Sequence, residues 1–195
     1  MAELAALLLA AGAGRRFGGN KLLAPLHGQP LILHALALAE AATPGAVHVV
    51  LGAQRDIVAQ LLPAGVHRIE HAGWAEGLGS SLAAGIAGLR ETPAGVLVLL
   101  ADQVALRPEA LQALAGRWRA APDAVHCAVY GGQPGVPAIF PCRLFAELAT
   151  LRGVRGAKPL LLRETSPATR LAMPEAAIDI DHPDDLRRWL AGATA

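Results

Sequence analysis

The chain has 195 residues, with 17 Lys and Arg against 16 Asp and Glu, and a hydrophobic fraction of 53% that includes only 4% aromatic residues. That length suffices to bury one aliphatic core without metal or disulfide staples, so a single domain over residues 1–195 is expected. Balanced, scattered charge excludes a nucleic-acid footprint and favours a small ligand.

A strand is predicted at 4–10, and it runs into the glycine-rich stretch "AAGAGRRFGGNK" at 10–21. A helix follows at 29–42, then a strand at 47–52, a helix at 55–62 and a strand at 66–71. After "HAGWAEGLGSS" comes a helix at 81–91. The run "GVLVLLAD" is apolar on both alternating faces, as a central parallel strand at 96–101 covered by helices would be, and it ends in Asp102. Beyond it the pattern predicts a helix at 108–120, strands at 124–130 and 138–140, and helices at 143–151 and 158–164. A last strand falls at either 170–173 or 177–180. The final helix, 183–191, opens on Pro183 and carries Asp184 and Asp185 in its first turn, where acids suit the helix dipole. Strands alternating with helices predict an α/β fold with a mostly parallel sheet. In such sheets ligands bind outside the carboxyl ends of the strands. The glycine stretch, "GLGSS" and "DQV" all lie there.

No apolar run approaches the roughly 18 residues of a membrane span. The opening run has Glu3 and no basic flank where a signal peptide needs one, so a cytoplasmic protein without membrane contact is expected. Cys127 and Cys142 fit no metal spacing and read as buried free thiols.

The glycine stretch is neither of the two common phosphate-binding fingerprints. G-x-G-x-x-G fails by one residue, since Phe17 stands where the third glycine belongs, and the second strand leads to Gln54 and Arg55 rather than to a ribose-binding acid. This disfavours the rival reading of an NAD(P)H-dependent oxidoreductase. G-x-x-x-x-G-K-[ST] fails because Asn20 precedes Lys21 and no hydroxyl follows it. What remains is A-A-G-x-G-x-R-F-G-x-x-K. Its glycines let backbone N–H groups converge on an anion, and Arg16 and Lys21 add charge suited to a triphosphate. A tight turn with two solvated cations is the plainer alternative.

Together with "GLGSSLAAG", "VLLADQV" and "DIDHPDDL", this stretch resembles the MobA-like nucleotidyltransferases of molybdenum cofactor maturation, above all the cytidylyltransferases that join CTP to molybdopterin. The resemblance implies a Rossmann-like three-layer α/β/α nucleotidyltransferase fold. It implies a nucleotide site of Ala10, Ala11, Gly12, Gly14, Arg16, Lys21, Gly79, Ser80 and Ser81. Arg16, Lys21 and Asp102 would carry catalysis, and Asp102 and Asp181 would hold Mg²⁺, with Asp179 as the alternative second ligand. "AAG" and "GSS" imply CTP, and the family implies a phosphorylated pterin-type acceptor. The chemistry needs no protein nucleophile, because the attacking phosphate is already ionised.

Three departures fall on the acceptor side. Val104 replaces the proline of "DQP", which predicts a looser Asp102 loop. Val136 replaces a histidine, and the family's G-D-x-G-A-R is "GVRGAK" here, with Val154 and Lys158. These changes leave open a non-catalytic carrier that hands the cofactor to a molybdenum hydroxylase. Trp74 reads as a stacking ring or a loop anchor. His182 reads as a cap neighbour or a tuner of the metal site, and the other six histidines as surface or structural.

Overall fold

A computed structural model describes residues 3–192. Its central sheet has seven strands: β1 (Leu4–Ala10), β4 (Val47–Leu51), β5 (His67–Glu70), β6 (Gly95–Leu100), β7 (His126–Tyr130), β8 (Gln133–Pro141) and β9 (Arg170–Ala172). Their order is β5-β4-β1-β6-β8-β7-β9. Only β8 runs antiparallel to its neighbours. A small hairpin, β2 (Pro25–Leu26) with β3 (Gln29–Pro30), stands apart.

β1 shows why the sheet is central. All seven of its residues are buried. Leu4, Ala6, Leu8 and Ala10 join the core on one face, while Leu7 and Leu9 join the core on the other. The first face is covered by α1 (Leu31–Ala42), α2 (Arg55–Leu61), α4 (Pro108–Ala120) and α7 (Pro183–Gly192), and the second by α3 (Leu78–Ala87), α5 (Phe145–Leu148) and α6 (Lys158–Glu164). The result is the expected three-layer α/β/α arrangement.

Four expectations are corrected, and one pair of alternatives is resolved. The first helix starts at Leu31 rather than at 29, because His27 and Gly28 take positive φ values of 49° and 84° and turn the chain into the β2–β3 hairpin. The strand expected at 138–140 is nine residues long; Gly131 and Gly132, at φ 55° and 73°, form a two-residue turn that pairs it with β7. The segment 143–151 holds one short helix after a 3-10 turn, rather than one continuous helix. Of the two alternatives for the last strand, 170–173 is borne out by Arg170–Ala172, while 177–180 follows a 3-10 turn at Pro174–Ala177 and forms no strand. Cys142 is exposed, while Cys127 is buried as expected.

Candidate nucleotide and metal site

The carboxyl ends of β1, β4 and β6 open on one cleft of about 190 Å³. On the β1 side the chain leaves the sheet through Gly12 and then turns at Gly14, whose φ of 60° suits glycine and whose added Cβ would lie 3.1 Å from Lys21 Cβ. The N–H groups of Phe17 and Gly19 both donate to the Gly14 carbonyl, at 3.0 and 3.1 Å, and so close the turn. Among the described residues no group accepts from the backbone N–H of Gly12, Ala13 or Gly14. These amides are free for an anion.

Lys21 follows Asn20, itself in the left-handed region, and its side chain runs back toward the sheet. Its ammonium donates to Asp102 Oδ2 at 2.7 Å and reaches Asp181 Oδ1 at 3.5 Å. Arg16 Nη1 lies 2.7 Å from Asp181 Oδ2. Arg16, Asp181, Lys21 and Asp102 therefore form a chain of alternating charge. Arg16 is 70% exposed, while Lys21 is 13% exposed, so only the lysine is an interior cation.

The backbone explains how two carboxylates so distant in sequence meet. Asp102 is placed at the end of β6, the central run read from the sequence. The Ile180 N–H donates to the Asp102 carbonyl at 3.1 Å, which brings the segment before α7 across the strand end. Buried Gln103 strengthens the join: its Nε2 donates to the carbonyls of Val136 and Ala176 at 2.9 and 2.8 Å. Val104 does not loosen this loop. It is buried, and its N–H donates to the Asp102 carbonyl at 3.0 Å, a bond that proline lacks the hydrogen to make.

The "GSS" residues do not sit in a loop before the helix but in the first turn of α3. Ser81 lines the cleft beside Ala10, Ala11 and Gly12. Ser80 is buried; its hydroxyl donates to the Gly77 carbonyl at 2.9 Å and lies 3.0 Å from His71 Nε2. Gly79 donates its N–H to the Gly153 carbonyl at 2.8 Å, and a Cβ there would approach the Arg152 oxygen to 2.6 Å. The structure thus places Gly79 and Ser80 where they hold α3 against its neighbours, with Ser81 facing the cleft.

Two groups that sequence reasoning missed also lie here. Gln54 lines the cleft, and its buried Oε1 has no hydrogen-bond partner among the described residues. No sequence signal marks it beyond its place after β4. The Tyr130 phenol is pushed up by burial and then by the nearby carboxylates of Asp179 and Asp102. Asp179 is pushed up by partial burial and by the Asp102 and Asp181 carboxylates. On the acceptor side, Val154 is 81% exposed and the Lys158 ammonium donates to the Pro134 carbonyl at 2.6 Å. Trp74 packs at the edge of the core, and exposed His182 donates its backbone N–H to Asp185 Oδ2 at 2.6 Å.

A divalent cation fits Asp102 and Asp181. Asp102 Oδ1 is buried without a partner among the described residues, and an ammonium already bridges the two carboxylates. Among the described residues no three His, Cys, Asp or Glu side chains gather into a cage of their own. That suits Mg²⁺, which is commonly held by one or two carboxylates with water and substrate phosphate completing the shell. No described helix is long and apolar enough to cross a membrane.

The model of the MobA-like NTP transferase domain matches residues 6–168, which includes Asp102 and ends before Asp181. A bifunctional protein GlmU from Xanthomonas axonopodis pv. citri is 32% identical over 203 residues, covering 95% of this chain and 39% of the relative. The chain spans between a quarter and two fifths of the length of the curated relatives it matches. Among solved structures, a homolog of Rv0371c from Mycobacterium sp. strain JC1 superposes with a TM-score of 0.81 at 27% identity, covering 98% of this chain and 96% of the other. Rv0371c of Mycobacterium tuberculosis in complex with manganese gives 0.79 at 25% identity, covering 97% and 98%.

Proposed function

We propose, because the chain belongs to the MobA-like NTP transferase family, that it is a nucleotidyltransferase that moves CMP from CTP to molybdopterin or a related phosphorylated pterin, with Mg²⁺ as its metal ion. The observation that carries this reading is the convergence of Asp102 and Asp181 on Lys21 beside three free loop amides. In the reaction an oxygen of the acceptor phosphate attacks the α-phosphorus of CTP. The bond from that phosphorus to the bridging oxygen breaks, and its electron pair leaves with pyrophosphate.

The amides of Gly12, Ala13 and Gly14 bind the triphosphate, and Arg16 and Lys21 balance the charge that grows on the transferred and leaving groups. Both cations change partners to do so, from carboxylate to phosphate. Asp102 and Asp181 hold the divalent ion; when bound, it neutralises phosphate charge and aligns the reacting oxygens. A manganese complex of a neighbour 25% identical supports a divalent metal. Gln54 supports CTP over UTP: a buried carbonyl without a partner among the described residues suits a base with an exocyclic amino donor, which cytosine carries, as do adenine and guanine, and uracil lacks.

The test is to mix the protein with Mg²⁺, molybdopterin-bound molybdenum and each nucleoside triphosphate in turn, and to measure pyrophosphate. Release with CTP foremost is expected, and loss of that release in Asp102→Ala. Binding of CTP without turnover would replace the enzyme by a carrier, and no release with any nucleotide would end the proposal.

A further inference from the structure

Asp185 looks from its position like an ordinary first-turn acid of α7. Its side chain does more. One oxygen, Oδ2, accepts from the backbone N–H of Asp181 at 2.9 Å and from that of His182 at 2.6 Å. The other, Oδ1, pairs with Arg188. This is half of a capping box, in which a third-position acid reaches back to the amides preceding its own helix. Here one of those amides belongs to the residue whose carboxylate meets Lys21 and Arg16.

The segment is therefore fixed at three consecutive amides. Ile180 N–H is tied to the Asp102 carbonyl, and the next two are tied to Asp185. The first bond sets where the segment crosses β6, and the other two set which way Asp181 leaves it. Without Asp185 the Asp181 backbone loses its only bond to α7 in this set, and its carboxylate is free to drift from Asp102. A divalent ion that depends on both oxygens would then bind less well, because groups that orient metal ligands commonly matter 10- to 100-fold in affinity.

From this geometry we infer that Asp185 is a positioning residue: it holds the Asp181 carboxylate in register with Asp102 so that the pair grips a divalent ion on the bound nucleotide. The inference rests on the proposed metal role of those two aspartates. It predicts a particular order among variants. Asp185→Asn keeps a carbonyl oxygen able to accept both amides, whereas Asp185→Ala keeps none. Arg188→Ala removes the cation and leaves both amide bonds in place.

The experiment titrates Mn²⁺ into the full chain with saturating CTP and follows free Mn²⁺ by electron paramagnetic resonance, with circular dichroism confirming that each variant is folded. Asp185→Ala should raise the half-saturating Mn²⁺ concentration roughly tenfold, while Asp185→Asn and Arg188→Ala stay within about twofold of the parent. An unchanged Asp185→Ala beside a parent that binds would overturn the inference alone. Asp185→Asn as impaired as Asp185→Ala would also overturn it, since amide acceptance would not be the cause. A parent that holds no Mn²⁺ with CTP would overturn the metal reading, and the inference with it. If Asp185→Ala does not fold, the Asn variant carries the test: near-parent Mn²⁺ binding supports the inference and a tenfold loss refutes it.

Discussion

Replacing Lys21 by methionine keeps the length of the side chain and removes the charge that stands between Asp102 and Asp181. In the structure that ammonium makes a 2.7 Å bond to Asp102 and reaches Asp181 at 3.5 Å, with the lysine side chain only 13% exposed. Stripping one partner from a fully buried ion pair costs about 3–5 kcal/mol. The carboxylates here are 23% and 26% exposed, so water recovers part of that, and about 2 kcal/mol is the appropriate scale for a lost charge-assisted hydrogen bond. For a chain of this size that corresponds to a fall in Tm of about 4–8 °C. The two carboxylates, no longer neutralised by an ammonium, should then take up Mg²⁺ more readily than they do in the parent. Thermal melts with and without Mg²⁺ read both effects: a lower Tm without the ion, and a larger rise on adding it. Pyrophosphate release should nevertheless drop by about 10²–10³-fold, because the cation proposed to stabilise the transferred group is gone. A variant that melts like the parent without metal, or that gains no more from Mg²⁺ than the parent does, would refute the placement of Lys21 as a stand-in for the divalent ion.

Other consequences can be checked separately. Gln54→Leu should weaken CTP binding by roughly 3- to 30-fold, the scale of one lost hydrogen bond, with little change for UTP; calorimetric titration of both nucleotides tests this, and equal losses would remove Gln54 from base recognition. Gly79→Ala drives a methyl group to 2.6 Å from the Arg152 carbonyl, so it should cost about 2 kcal/mol and lower Tm by about 4–8 °C; an unchanged melt would count against the tight packing of α3 on that loop. Burial, the largest cause in each case, holds the imidazoles of His34, His48 and His126 below the ordinary range. Above about pH 6.5 they are neutral in both folded and unfolded chains, and as the pH falls below that value the unfolded chain takes up protons the folded chain refuses. Stability should therefore decline from pH 6.5 downward, and the double variant His48→Gln, His126→Gln should show a shallower decline in Tm; an identical slope would assign the effect to other groups.

Much of this architecture is legible in the sequence because its strongest signals are local. β1 and β6 are apolar on both faces, which belongs to a strand covered twice, and both expectations hold to within a residue. The glycine turn and Asp102 stand out in the sequence because each sits where such a strand stops. The β7–β8 hairpin is hidden in the sequence although Gly131 and Gly132 spell its turn, since Pro134 and Pro137 disguise a strand whose neighbours supply the pairing. Gly79 and Ser80 illustrate the opposite limit. Their motif suggests contact with nucleotide, yet the Gly153 carbonyl and the His71 ring that engage them are brought near only by the folded chain. Gln54 and Asp185 share that difficulty: an unpartnered buried oxygen and a pair of accepted amides are properties of three dimensions. The sequence left Asp179 and Asp181 as alternatives, and the fold brings Asp181 to Lys21 and Arg16.

The proposed reaction requires that the turn after β1 hold a triphosphate while Asp102 and Asp181 share the ion that rides on it. Diffraction from crystals of the protein grown with CTP and Mg²⁺ tests it most directly. Phosphate oxygens are expected on the amides of Gly12, Ala13 and Gly14, with Lys21 turned from the carboxylates to the phosphates and an ion roughly 2.1 Å from an oxygen of each aspartate. A nucleotide bound elsewhere, or an ion that touches neither carboxylate while Lys21 still bridges them, would contradict it.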